Sequence, residues 1–112
     1  MSVSIVWINI LQGDSEMTAR KSASIFNDPR VLQFYDPHRL SGKAIAESLG
    51  WKGRVAWDIY LFYAAKEQWV EDPPIPTAWM HQLRESWADP AHFYTGEDLA
   101  RELFKTLEEL LA

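Results

Sequence analysis

The sequence predicts an α/β fold in which a mixed sheet of about four strands has helices packed on it. Apolar, β-branched runs typical of buried strands alternate with helical segments in the order β-α-β-α-β-β-α. Strand-helix-strand crossovers require parallel neighbours with right-handed connections, whereas the last two strands can pair antiparallel. A chain of 112 residues can bury one core, so we expect a single domain over residues 1–112.

The first strand and helix are predicted from an apolar run followed by capping residues. Residues 3–11 are nearly continuously apolar, which is typical of a strand covered on both faces. Asp14 or Ser15 can cap a helix that follows to about Phe26. Residues 27–29, Asn-Asp-Pro, end it, because proline disfavours the helical conformation in the residue before it.

A second strand and helix follow. Residues 31–35 predict a short strand. Asp36 and Pro37 supply an N-cap and a first-turn proline, and Gly50 supplies a stop, so we predict a helix over residues 37–49.

The second half of the chain contains an aromatic strand pair and an amphipathic helix. Residues 55–63 and 77–83 predict strands joined by a stiff, proline-rich loop over residues 64–76. Thr95 and the acidic residues after it resemble a capping box for the last helix. Its apolar stripe consists of Leu99, Leu103, Leu107, Leu110 and Leu111.

Charge and composition argue against several functional classes. The net charge is −5 without a basic run, which argues against binding to nucleic acid. Residues 3–11 are too short to cross a bilayer and lack the basic flank of a signal peptide, so we expect no membrane association. The chain has no cysteine, which rules out disulfides, thiolate metal sites and thiol catalysis, and favours a cytoplasmic location.

Asp58 and His81 are the weak candidates for catalytic residues. Asp58 interrupts an apolar strand, and an interior carboxylate is costly unless it is paired. His81, on the returning strand, could orient or share a proton with it as an acid-base pair. The structural alternative, a satisfied hydrogen bond of Asp58 to His81, Arg54 or an indole N–H, is favoured because no nucleophile is visible beside them.

Two other features are candidates for ligand binding. His38 and Arg39 lie at a predicted helix start, where an anion could bind, although solvated side chains at a capped helix end are the favoured interpretation. The histidines lack the close pairing of zinc sites, so we expect neither a metal nor another cofactor.

Aromatic residues and prolines provide the candidate contact surface. Aromatic residues make up 13% of the chain, including six tryptophans, and most are expected to pack in the core. Any exposed ones would favour a small-molecule or protein partner, or a second copy of the chain. The candidate binding residues are Trp57, Trp69, Pro74, Pro76, Trp79 and Met80.

Seven segments resemble the rear portion of uncharacterised bacterial thioredoxin-like proteins. These segments are VWINIL (6–11), GDS (13–15), DPRV (28–31), FYDP (34–37), GKA (42–44), AWD (56–58) and WMHQL (79–83). The element order is also that of a thioredoxin core. The resemblance covers roughly residues 3–84 and implies a thioredoxin-like domain.

The redox site of that family is missing. Its Cys-x-x-Cys pair is absent, and residues 12–15, Gln-Gly-Asp-Ser, occupy the corresponding turn. Arg54 and Val55 stand where the family has a proline before the third core strand. No catalytic residue of the family can therefore be carried over, and dithiol-disulfide exchange is excluded.

The resemblance leaves two assignments open. Residues 3–11 are either the central first strand of a complete minimal core, or the next strand along, with a first strand-helix unit missing. In the second assignment the strands must close up or another chain must fill the gap, which favours a homodimer.

The sequence thus favours a non-enzymatic, soluble binding module on a redox-inactive scaffold, self-associating through an aromatic surface. The alternative is a cysteine-independent enzyme that uses Asp58 and His81 on a small substrate.

Overall fold

Strands and helices alternate in a mixed α/β arrangement. The computed structural model describes residues 2–25 and 28–111. Its elements are β1 (Val3–Ile8), α1 (Glu16–Ala23), β2 (Val31–Asp36), α2 (Leu40–Ser48), β3 (Ile59–Phe62), β4 (Ala78–His81) and α3 (Gly96–Leu111). Two short 3₁₀ helices, Ser86–Ala88 and Pro90–His92, lie between β4 and α3 and were not predicted. No helix within the described ranges combines the length and apolarity needed to cross a membrane.

The strands form two separate two-stranded sheets in the described residues, so the expected four-stranded sheet is not seen. β1 and β2 pair in parallel, and β3 and β4 pair antiparallel. The aromatic strand starts at Ile59 instead of residue 55, because the preceding segment is held by α2. The Ala56 N–H donates to the Gly42 carbonyl at 2.9 Å, and Asp58 adopts a left-handed conformation with φ 50°.

β1 and α1 are shorter than predicted. β1 ends at Ile8 because the Asp14 carboxylate accepts the N–H groups of Ile10 at 2.9 Å and Leu11 at 2.7 Å, which folds residues 10–14 into a turn. Ser15 caps α1 in a reciprocal capping box with Thr18. The predicted end of this helix, Phe26, and the following Asn27 lie outside the described residues.

The sequence predicted that α2 begins at residue 37, but the helix begins at Leu40. Arg39 is left-handed with φ 61°, which interrupts the helical conformation immediately before Leu40. The Asp36 carboxylate reaches past this turn and accepts the N–H groups of Leu40 at 3.0 Å and Ser41 at 2.7 Å. Arg39 therefore holds the N-cap position predicted for Asp36, but the Asp36 carboxylate still accepts the first N–H groups of the helix.

The core lies between α2 and the second sheet. Its buried residues are Ile45, Ala46, Trp51, Ala56, Leu83 and Ala88. Half-buried apolar side chains from β3, β4 and the Ser86–Ala88 turn pack against them. Gly42 brings α2 close to both Ile8 of β1 and the 55–56 segment, so one helix contacts both parts of the fold.

Candidate functional site

Asp58 and His81 are not paired in the structure. Asp58 was expected in a strand interior, but it is exposed at the turn before β3, and its carboxylate accepts the Gln82 side-chain amide at 2.9 Å. The same amide reaches the Tyr60 hydroxyl at 3.4 Å. Burial, assisted by the nearby Asp58 charge, raises the pKa of Tyr60. The carboxylate thus belongs to a polar surface contact and not to a buried acid-base pair.

His81 is fully buried and both of its ring nitrogens bond to the backbone. Nδ1 accepts the Leu83 N–H at 2.9 Å, so this nitrogen carries no proton. Nε2 lies 2.9 Å from the Asp89 carbonyl and donates to it. This arrangement holds a neutral imidazole that ties β4 to the 3₁₀ turns, and it leaves no ring nitrogen for a substrate.

The aromatic residues around His81 form a cluster in the core. Trp51 packs edge-on against Trp79, His81 and Trp87, with ring centroids 5.4–5.7 Å apart. His92 stacks on Trp79 with centroids 3.6 Å apart, and its Nδ1 donates to the Trp79 carbonyl at 2.9 Å. Such edge-on and stacked pairs add to the free energy of burial, so the cluster is structural.

Most of the candidate contact residues are occupied within the protein. Met80 is buried and Trp79 belongs to the core cluster, while Trp57 packs partly against the same core. Pro76 is buried and Pro74 half-buried, which pins the proline-rich loop. Trp69 alone among these six candidate residues is exposed.

His38 and Arg39 are exposed beside the start of α2, but the helix N–H groups that would bind an anion are already taken. Burial raises the pKa of Asp36, but hydrogen bonds from Ser41, Leu40 and Gly42 outweigh this effect and hold the pKa below its ordinary value. The ionised Asp36 is therefore the anion at this helix start. The Arg39 Nε–H donates to the Asn9 carbonyl at 2.6 Å and is likewise engaged.

An exposed apolar surface lies instead on the parallel sheet. The β1–β2 register places Ser4 beside Leu32 and Val6 beside Phe34. Because successive strand residues point to opposite faces, these four share one face, which we call the sheet face. Val6, Leu32 and Phe34 are 40%, 55% and 53% exposed. This surface was not predicted, although the alternation in residues 31–36 carries a signal for it.

The opposite face of the same strands is covered by α1. Gln33 on that face donates from Nε2 to the Ala23 carbonyl at the end of α1, at 3.1 Å. On the sheet face, α2 covers only the far end, where Ile8 meets Gly42. The sheet face is therefore left without a covering element within the described residues.

Other classes of site find little support in the geometry. In residues 2–25 and 28–111, no three His, Asp or Glu side chains converge as a metal site requires. No protein-family model, curated protein or solved structure matches the chain. The function must therefore be argued from the surfaces described above.

Proposed function

We propose that this protein is a non-enzymatic interaction module that self-associates through the sheet face. The observation that carries the proposal is a parallel strand pair with α1 on one face and exposed apolar side chains on the other. The proposal keeps self-association through an apolar surface but moves it from the tryptophans to Val6, Leu32 and Phe34.

The parallel pairing of β1 and β2 supports the proposal that a partner covers the sheet face. Sheets made only of parallel strands are almost always covered on both faces, and a two-stranded sheet is marginal by itself in water. Contiguous apolar patches with polar surroundings mark interaction sites. A partner on the sheet face would provide the missing layer.

The charge distribution favours a second copy of the chain as that partner. A two-fold interface brings the same patch of both subunits together, so the patch must be self-complementary. The sheet face consists of Ser4 and three apolar residues, which can meet their own copies without like charges in contact.

The element order also supports a proposed thioredoxin-like origin of the scaffold. The chain contains a parallel β-α-β unit, a helix, an antiparallel strand pair and a final helix. This is the element order of the thioredoxin core that the sequence resembles. The separation into two sheets supports the assignment in which another chain completes the sheet. The lack of cysteine supports a redox-inactive module and, within the same proposal, a cytoplasmic location.

Replacing Phe34 with a charged residue tests this proposal. Sedimentation equilibrium should show a dimer for the wild-type chain at micromolar concentrations. Phe34→Glu places two carboxylates in the interface and should weaken the dimer at least tenfold, about 1.4 kcal/mol. Val70→Glu is the matched control, because Val70 is 81% exposed in the proline-rich loop, and it should leave the dimer unchanged.

The outcomes distinguish a failure of self-association from a wrong choice of the surface that mediates it. A wild-type chain that is monomeric up to high micromolar concentration contradicts self-association itself. A dimer that survives Phe34→Glu but is lost in Val70→Glu or Trp69→Glu contradicts only the sheet face. Circular dichroism of each variant confirms that the fold is retained.

A further inference from the structure

A cavity with a polar lining lies between α1 and the carboxyl ends of β1 and β2. It has a volume of ≈ 140 Å³ and is open to solvent on one side. Sites for drug-sized molecules usually have volumes of about 300–1,000 Å³, so this cavity accommodates a smaller ligand, part of which can extend into solvent. In open α/β sheets, ligands bind in the crevice outside the carboxyl ends of the strands, and this cavity has that location.

Several polar groups of the lining have unused hydrogen-bonding capacity. The Tyr35 hydroxyl accepts the Asn9 Nδ2–H at 2.8 Å, and among the described residues nothing accepts its own proton. The Asn9 Oδ1 and the Ser22 hydroxyl likewise have no hydrogen-bond partner in the described part of the chain. These three side chains converge on one cavity and offer both donors and acceptors.

The remaining walls add a charge and an aromatic surface. Hydrogen bonds from the Ile10 and Leu11 N–H groups lower the pKa of Asp14, so its carboxylate is ionised at neutral pH. Both bonds end on Oδ2, which leaves Oδ1 as a further acceptor. The Trp7 indole forms an apolar part of the wall.

We propose that this cavity binds a small, uncharged polyhydroxylated molecule no larger than a monosaccharide. Each hydroxyl of such a ligand can donate and accept, which matches the mixed capacity of Asn9, Tyr35 and Ser22. The Asp14 carboxylate accepts a ligand hydroxyl in a charge-assisted bond and repels phosphates and carboxylates. The indole packs against the carbon skeleton of the ligand.

The site lies on the face opposite the sheet face, so it does not depend on self-association. Trp7 and Tyr35 occupy the strand positions that alternate with Val6 and Phe34. Binding is therefore expected in both the dimer and a Phe34→Glu monomer.

A titration with D-glucose, followed by ¹H–¹⁵N NMR, tests the proposal. The indole N–H signal of Trp7 and the side-chain amide signals of Asn9 should shift and saturate, with a dissociation constant in the millimolar range. Sodium phosphate and ammonium chloride at matched ionic strength serve as charged probes and should not produce a saturating shift of these signals.

Two substitutions that each remove cavity-facing polar groups make the test specific. Tyr35→Phe and Asn9→Leu should each raise the dissociation constant about fivefold or more, as the loss of a net hydrogen bond predicts. Met17→Ala is the control, since Met17 is an exposed residue of α1 outside the cavity, and it should bind as the wild type does.

Three results would overturn the inference. The first is a glucose titration in which these signals shift linearly without saturation, or not at all. The second is a stronger saturating response to phosphate or ammonium. The third is unchanged glucose affinity in both Tyr35→Phe and Asn9→Leu.

Discussion

Asp36 shows how one carboxylate determines where a helix begins. It accepts backbone N–H groups at the start of α2 and the Ser41 hydroxyl. These bonds satisfy donors that an α-helix leaves unpaired at its first turn. They hold the Asp36 pKa below its ordinary value even though burial acts in the opposite direction.

Because the folded pKa of Asp36 is lowered, its contribution to stability depends on pH. An aspartate in an unfolded chain has a pKa of about 3.9, so the contribution is complete above that pH and is lost as pH falls through the folded value. Asp36→Ala should lower the free energy of unfolding at neutral pH by about 1 kcal/mol, as loss of an N-cap does. Urea unfolding at neutral pH and at acid pH measures this difference.

The comparison with Ser41→Ala provides the control for Asp36. That variant removes the hydroxyl donor and keeps both backbone bonds, so it should lose only part of the acid dependence. If Asp36→Ala unfolds with the same pH dependence as the wild type, the carboxylate is not the group that links stability to pH.

Asp58 and His81 show what the sequence reveals about single residues. His81 could be placed on the strand that returns beside the aromatic segment, and it lies there in β4. Its backbone partners, Leu83 and Asp89, could not be predicted because the unpredicted 3₁₀ turns bring Asp89 to the ring. Asp58 was expected inside a strand, yet aspartate also tolerates left-handed turns, and that tendency prevails here.

At the scale of elements, Gly42 determines how closely α2 approaches its neighbours. A Cβ at this position would lie 2.6 Å from Cγ1 of Val55, 2.7 Å from the Ala56 carbonyl oxygen and 2.9 Å from Cδ1 of Ile8. The Ala56 oxygen is backbone and accommodates little movement. The close approach also allows the bond from the Ala56 N–H to the Gly42 carbonyl.

Gly42→Ala should therefore destabilise the protein despite the higher helix propensity of alanine. Overpacking commonly costs about 1–3 kcal/mol, and the propensity gain offsets about 1 kcal/mol, so we expect a net loss of about 1 kcal/mol and at most about 2 kcal/mol. Chemical denaturation measures the change.

Lys43→Ala is the matched control in the same helix. Lys43 is exposed, so its replacement should change the unfolding free energy by less than about 0.5 kcal/mol. A Gly42→Ala variant as stable as the wild type would show that α2 and the 55–56 segment can separate without cost.

The sequence predicted the order and type of the elements but not how the strands pair. Each predicted strand and helix has a counterpart, and α3 starts directly after Thr95 as expected. The strands at residues 3–11 and 55–63 were predicted too long, because Asp14 and Asp58 act through turn geometry that an apolar pattern does not record. The pairing of the strands depends on the geometry of these turns, so an apolar pattern alone could not predict whether the four strands form one sheet or two.

At the scale of the whole molecule, the fold is two small sheets that share one helix. α2 contacts Ile8 of the parallel sheet through Gly42 and contributes Ile45 and Ala46 to the core beside the antiparallel sheet. Within the described residues, the parallel sheet is contacted by α1 on one face and by α2 at Ile8. Its stability is therefore expected to depend most strongly on a partner at the sheet face.

If dimerisation stabilises the parallel sheet, the thermal stability of the protein should depend on its concentration. Mass action favours the folded dimer, so a tenfold higher concentration should raise Tm by about 2–4 °C. Differential scanning calorimetry across that range measures the shift, and Phe34→Glu should show a weaker dependence of Tm on concentration than the wild type. A concentration-independent Tm for the wild type would contradict the coupling of assembly to folding.

The candidate surfaces could be predicted only in part. An apolar contact surface was expected, but two of the three tryptophans predicted for it, Trp57 and Trp79, pack against the core, and only Trp69 is exposed. Large aromatic side chains usually pack in the core, and amino-acid composition does not show which of them remain exposed. The polar cavity depends on Asn9 meeting Tyr35 across two strands, which only the parallel register shows.

The indoles of Trp51, Trp79 and Trp87 lie close enough for their electronic transitions to interact. With centroids 5.4 Å and 5.5 Å from Trp51, these rings are expected to absorb as a coupled chromophore and not as three independent ones. Such coupling produces a paired positive and negative band in circular dichroism and falls steeply with separation. Assembly of the core therefore has an optical signature distinct from that of the backbone.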